Sequence, residues 1–161
     1  LIRTFAAVAP DFNARLLLVG EGRERGALVQ LAGEVGVADR IVFAGYISKP
    51  EKVLGLIDVF ALTSDTEQMP NAVLQAMAAG RPIVATDVGD VRAITAPENH
   101  PFITTLGDDQ ALQRALSALL RDAPLRAALG RRNIIYVRKH FPMNRMFQAY
   151  SDLFESALCG S

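Results

Sequence analysis

The sequence predicts an α/β fold: a doubly wound parallel sheet with a helical C-terminal tail. Three observations predict it. Four short apolar runs recur without polar alternation, "ARLLLVG" (14–20), "RIVFAG" (40–45), "DVFALTS" (58–64) and "RPIVAT" (81–86), and "HPFITT" (100–105) is a weaker fifth. Such runs read as strands buried on both faces, the habit of parallel sheets. Helical periods separate them, and strands alternating with helices across short loops mean right-handed βαβ units. After residue 107 the pattern is helical throughout.

Each element has its own warrant. "LIRTFAAVAPDF" places Leu1, Ile2, Phe5 and Val8 on one helical face but has no capping residue, as in a chain cut inside an element. Residues 23–34 carry Leu28, Leu31 and Ala32 on one stripe that continues to Val35, and 50–57 carry Val53, Leu54 and Ile57. Residues 71–79 give Val73, Leu74 and Met77 before Gly80, which suits the left-handed position after a helix end. A brief turn or helix spans 90–95. In the tail, Asp108 or Asp109 is a natural N-cap for a helix bearing Leu112, Ala115, Leu116 and Leu119. Pro124 suits the first turn of the next helix, which runs to about His140. The last helix (141–158) aligns Met146, Tyr150, Leu153 and Phe154, with Phe147 beside them. That face packs either on the chain's own sheet or on another domain or partner.

Composition narrows the function classes. The 161 residues suit one domain, and the 17 basic and 17 acidic side chains cancel. Balanced charge leaves no basic footprint for nucleic acid. A lone cysteine, Cys159, rules out an internal disulfide framework and a cysteine metal cluster; it reads as an inert tail residue. No apolar run approaches the ~20 residues that span a bilayer, and there is no signal-peptide pattern. The expected location is cytoplasmic. The basic cluster Arg131, Arg132, Arg138, Lys139 and His140 is a solvated helix face or a contact to the inner membrane surface. His100 reads as a solvated loop residue. Gly20-Glu21-Gly22 begins a Gly-x-Gly, but Arg25 stands at the third glycine position, which argues against a nicotinamide-cofactor fingerprint.

The stretch "SDTEQMPNAVLQAMAAGRPIVAT" (64–86) carries the chemistry. Ser64 and Glu67 have capping-box spacing, but Pro70 moves the helix start to Pro70 itself and leaves 64–69 as a loop at the carboxyl end of a strand. Ligands of open α/β sheets bind at that edge. The amides of Asn71, Ala72 and Val73 would then be unpaired at a positive helix end, suited to a phosphate. Glu67 can accept hydrogen bonds from ligand hydroxyls, and Gln75 can offer an amide to the same region. Equally, Glu67 is a solvated acid favoured by the helix dipole; on spacing alone both readings stand.

The segment 64–94 resembles the donor-binding segment of retaining glycosyltransferases of GT-B architecture, whose pattern is E-x7-E followed by A-M-A-x-G-x-P-V-V-A-T. The resemblance extends over nearly the whole chain, through "LLLVGEGRERGALVQLAGEVGVADRIVFAGYIS", "DVFALTS" and the helical tail. It implies a Rossmann-like C-terminal domain and a transferase that binds a nucleotide sugar and needs neither cofactor nor metal; no Asp-x-Asp triplet is present. It places Glu67 on the donor sugar as the catalytic-site acid, the amides of Asn71, Ala72 and Val73 on the diphosphate, and Ser64 in the donor-binding set. Tyr46 and Ile47 face the base. Gln75 falls where the family has a second Glu gripping the ribose, and an amide offers one acceptor oxygen where a carboxylate offers two. The family's second glycine and acid after "VG" are replaced by Asp90 and Ala93.

The resemblance also implies that residues 1–161 are a nucleotide-sugar-binding domain without its first strand, its Gly-Arg and Lys cations or the acceptor-binding domain. Residues 142–161 would pack on that domain or a partner. The absent strand belongs between 14–19 and 58–62, so two unpaired edges are expected there. Two rivals are a GT-B epimerase of nucleotide sugars and a non-catalytic nucleotide-sugar binder.

Overall fold

The computed structural model describes residues 1–159 and shows parallel strands wrapped by helices on both sides. Among the described residues five strands form: β1 (Leu16–Val19), β2 (Ile41–Gly45), β3 (Phe60–Leu62), β4 (Ile83–Thr86) and β5 (Ile103–Thr104). The helices are α1 (Ile2–Val8), α2 (Arg25–Glu34), α3 (Pro50–Leu54), α4 (Asn71–Ala78), α5 (Val91–Ile94), α6 (Asp109–Arg121), α7 (Ala123–His140) and α8 (Met143–Cys159). The side chain of Cys159 lies outside the described residues.

The strands make two sheets, β1-β2 and β3-β4-β5, each parallel. β1 and β3 share no ladder, so each keeps an open edge, as the expected gap requires. All four residues of β4 are buried, whereas β1 and β3 are mostly half-buried. The expectation of strands covered on both faces therefore holds for β4 and β5 and fails for β1, β2 and β3, where Val19 and Val42 are exposed and most other residues are half-buried.

β4 divides the core by simple alternation. Ile83 and Ala85 pack with Val73, Ala76 and Met77 of α4, while Val84 packs on the opposite face with Leu112, Leu116 and Leu119 of α6. α1 joins the two sheets. Its Ile2 and Phe5 pack with Ala32, Val37 and Ile41, and its Val8 packs with Val84. The predicted Ile2, Phe5, Val8 face is thus the buried one.

Helix ends follow local chemistry. Asp108 caps α6 by accepting from the Ala111 amide at 2.8 Å, and Asp122 caps α7 by accepting from Leu125 at 2.8 Å. α4 ends in a Schellman motif: Gly80 has φ +72°, its amide donates to Met77, and Arg81 donates to Ala76. That turn is also a helix-packing point. A Cβ on Gly130 of α7 would stand 2.1 Å from the Gly80 carbonyl oxygen. Three residues on, Asn133 donates to the Arg81 carbonyl at 2.8 Å. Gly130→Ala is therefore expected to destabilise the protein by about 1–3 kcal/mol through overpacking. Chemical denaturation checks it; an unchanged midpoint would contradict this close approach.

The aromatic face of α8 is exposed. Met146, Phe147, Tyr150, Leu153 and Phe154 are 47–65% exposed, which removes the reading that this face covers the chain's own core. Among the described residues no helix is long and apolar enough to cross a membrane. The basic residues at 131, 132 and 138–140 are exposed, and Arg132 pairs with Glu98 at 3.4 Å. His100 is only half exposed; its Nε2 lies 3.0 Å from the Arg92 carbonyl and 3.3 Å from that of Thr95, a structural rather than a solvated position.

Candidate functional site

The segment 63–70 leaves the carboxyl end of β3 as a loop, and α4 begins at Asn71 with Pro70 as its N-cap residue. Proline there has φ −72° and ψ 105°, an extended conformation that ends the loop and lets the next residue enter the helix. The helix starts one residue later than expected, because Pro70 is the hinge and not the first turn.

The amides of Asn71 and Ala72 have no acceptor among the described residues, and both residues are exposed. Val73 differs from the expectation. Its amide donates to the Pro70 carbonyl at 3.0 Å and its side chain is fully buried. A first-turn i→i−3 bond takes that donor, so the free pair at the helix start is Asn71 and Ala72. Gln75 lies one turn beyond Asn71 on the same exposed face, opposite buried Val73, Ala76 and Met77. Its amide group has no partner among the described residues.

Glu67 is half-buried, not free in solvent. Its Oε1 accepts from the Ser64 hydroxyl at 2.7 Å, and its Oε2 has no partner among the described residues. The capping-box pair thus meets, but as a tie within the loop and not as a helix cap. Thr86, at the end of β4, donates its hydroxyl to the Ser64 carbonyl at 2.7 Å. The loop after β4 closes on the same segment. Asp90 donates its amide to the Gln68 carbonyl at 2.8 Å, and a Cβ on Gly89 would lie 2.3 Å from the Glu67 carbonyl oxygen. Arg92 holds this second loop through Asp87 at 2.5 Å and the Ile103 carbonyl at 2.8 Å.

A second region lies at the carboxyl ends of β1 and β2. Glu21, Gly22, Arg23, Arg25, Phe43, Ala44 and Gly45 line an open cleft there, with the Arg25 guanidinium 5.6 Å from the centre of the Phe43 ring. Tyr46 follows at 74% exposure and Ile47 is half-buried. Sequence reading missed Glu21 and Arg25 as cleft residues, although the glycine-flanked loop after β1 was the available signal. It also missed Thr86, Gly89 and Arg92, which carry no motif of their own.

Residues 1–122 match the family model for glycosyl transferases group 1. The chain is 32% identical over 149 residues to the lipopolysaccharide core biosynthesis glycosyltransferase LpsD of Rhizobium meliloti, covering 92% of this chain and 43% of that protein. It is 27% identical over 158 residues to the N-acetyl-alpha-D-glucosaminyl L-malate synthase of Bacillus anthracis, covering 98% and 42%. The chain therefore spans less than half the length of these relatives. Its fold matches Anabaena Alr3699/HepE in complex with UDP at TM-score 0.86, with 23% identity and coverage of 97% and 44%. It matches the sucrose-phosphate synthase of Thermosynechococcus elongatus at TM-score 0.88, with 24% identity and coverage of 99% and 43%.

Proposed function

The chain belongs to the group 1 glycosyl transferases, and from that premise we propose that it is the donor-binding part of an enzyme that transfers a sugar from a nucleoside-diphosphate sugar to an acceptor hydroxyl. In the proposed reaction the acceptor oxygen bonds to the anomeric carbon as the bond from that carbon to the diphosphate oxygen breaks, and the acceptor hydroxyl's proton passes to the departing diphosphate oxygen. The nucleoside diphosphate leaves, and the anomeric configuration is retained. One observation carries the reading: the free Oε2 of Glu67 and the free amides of Asn71 and Ala72 come from a single loop and helix start. An acceptor oxygen for sugar hydroxyls beside two N–H donors at a helix N-terminus is what a glycosyl diphosphate requires.

Gln75 takes the ribose in this scheme, and Tyr46 and Ile47 take the base. No resident metal or cofactor has a role, because helix-start amides and cations from outside residues 1–161 would neutralise the diphosphate. The exposed aromatic face of α8 docks on the acceptor-binding part of the intact protein, and a strand from outside these residues fills the gap between β1 and β3. The UDP and UDP-glucose complexes of Anabaena HepE support a nucleotide sugar as donor, and relatives named as glycosyltransferases favour transfer over epimerisation.

The test is product analysis on the intact protein with UDP-, GDP- and ADP-linked sugars. Release of a nucleoside diphosphate with a new glycosidic product supports the reading, and an epimerised nucleotide sugar counts against it. Gln75→Glu is expected to tighten nucleotide binding, since hydrogen bonds to a charged acceptor contribute about 1.5–3 kcal/mol. Unchanged or weaker affinity by calorimetry would remove Gln75 from the ribose.

A further inference from the structure

The β3–β4 ladder pairs Phe60 with Ile83, Ala61 with Val84 and Leu62 with Ala85, and there the strand ends. One step on, the seam continues through a side chain. Thr86 is 6% exposed, and its hydroxyl donates to the Ser64 carbonyl at 2.7 Å, 22 residues away in the chain. Ser64 then donates its own hydroxyl to Oε1 of Glu67 at 2.7 Å. These two bonds link the most deeply buried strand to one oxygen of an acid whose other oxygen is free. Asp90 fixes the neighbouring Gln68 carbonyl at 2.8 Å. Side chains whose partners are themselves anchored lose little further freedom on binding, which is how buried polar groups set the geometry of a reacting group.

We propose that Thr86 is a positioning residue: its hydroxyl fixes the backbone of Ser64 and, through Ser64, the direction in which Glu67 presents its free oxygen. The inference rests on the functional reading above, in which Glu67 meets the donor sugar. Thr86 touches no ligand in this scheme. A valine of the same shape keeps the packing of β4 and removes only the hydroxyl, whereas a serine keeps the hydroxyl.

The experiment uses the intact protein and the member of a UDP-, GDP- and ADP-sugar panel that it consumes fastest. Turnover is normalised to the stoichiometry of nucleoside diphosphate binding by calorimetry, so that a loss of folded protein does not register. Thr86→Val is expected to lower kcat per binding site by about tenfold or more, with KM for the donor little changed, since small misplacements of reacting groups carry losses of that size. Thr86→Ser is expected to recover most of it. Wild-type kcat per site in Thr86→Val overturns the inference, as does an equal loss in Thr86→Ser. If Thr86→Val does not fold, Ser64→Ala breaks the same link one bond later, and wild-type kcat per site there overturns the inference equally. Glu67→Ala separates the two levels. If it is inactive while Thr86→Val is unimpaired, only the positioning role fails. If Glu67→Ala turns over normally, or no donor is consumed by the wild type, the functional reading fails and takes the inference with it.

Discussion

Glu67→Ala is expected to reduce turnover of the intact protein by orders of magnitude while costing about 1 kcal/mol of stability or less. The stability cost is the loss of one half-buried hydrogen bond, from the Ser64 hydroxyl, at a loop position with no role in the core. The activity cost is larger because, in the proposed reaction, Oε2 of Glu67, which has no partner among the described residues, meets the donor sugar. Turnover measured with the preferred nucleotide sugar, beside a thermal melt of the same preparation, separates the two effects. Wild-type activity would remove Glu67 from the site and with it the main support for the proposed function.

Gly89→Ala is expected to damage both stability and activity. Gly89 has φ +53°, in the left-handed region that an alanine adopts at a cost of about 1–2 kcal/mol. Its added Cβ would also lie 2.3 Å from the Glu67 carbonyl oxygen and 2.6 Å from that of Gln68. Both obstacles are backbone atoms, so the loop itself must move, and overpacking adds about 1–3 kcal/mol. The moved residues are Glu67 and Gln68, so turnover per folded molecule should fall as well. A denaturation midpoint and a turnover rate both equal to wild type would show that the two loops do not meet as described.

Much of the fold was legible because it depends on neighbours in sequence. Asp108 caps α6 through a bond to the residue three positions on, and Gly80 closes α4 with a left-handed turn. The apolar runs at 14–20, 40–45, 58–64, 81–86 and 100–105 each yield a strand, shorter than the run, because ladder pairing stops where side chains turn to loop. Local chemistry also misled twice. Pro70 reads as a first-turn residue but stands just outside the helix, and Val73 reads as a free donor although Pro70 supplies its acceptor. Both errors come from one residue of offset, which propensity does not resolve.

The sequence by itself therefore determined the order of strands and helices, the N-cap of α6, and the segment that carries Glu67, Asn71 and Gln75. Family pattern and local periodicity are short-range properties, and those features depend on residues within one or two turns. Tertiary structure decided how Glu67 is held. Ser64, Thr86 and Gly89 are brought together only by the register of β3 against β4 and by the return of the next loop. It also decided which strands are buried: β4 and β5 are buried throughout, while the apolar β1, β2 and β3 remain mostly half-buried. Burial depends on what stands on the far side of a strand, and no residue within the strand specifies that.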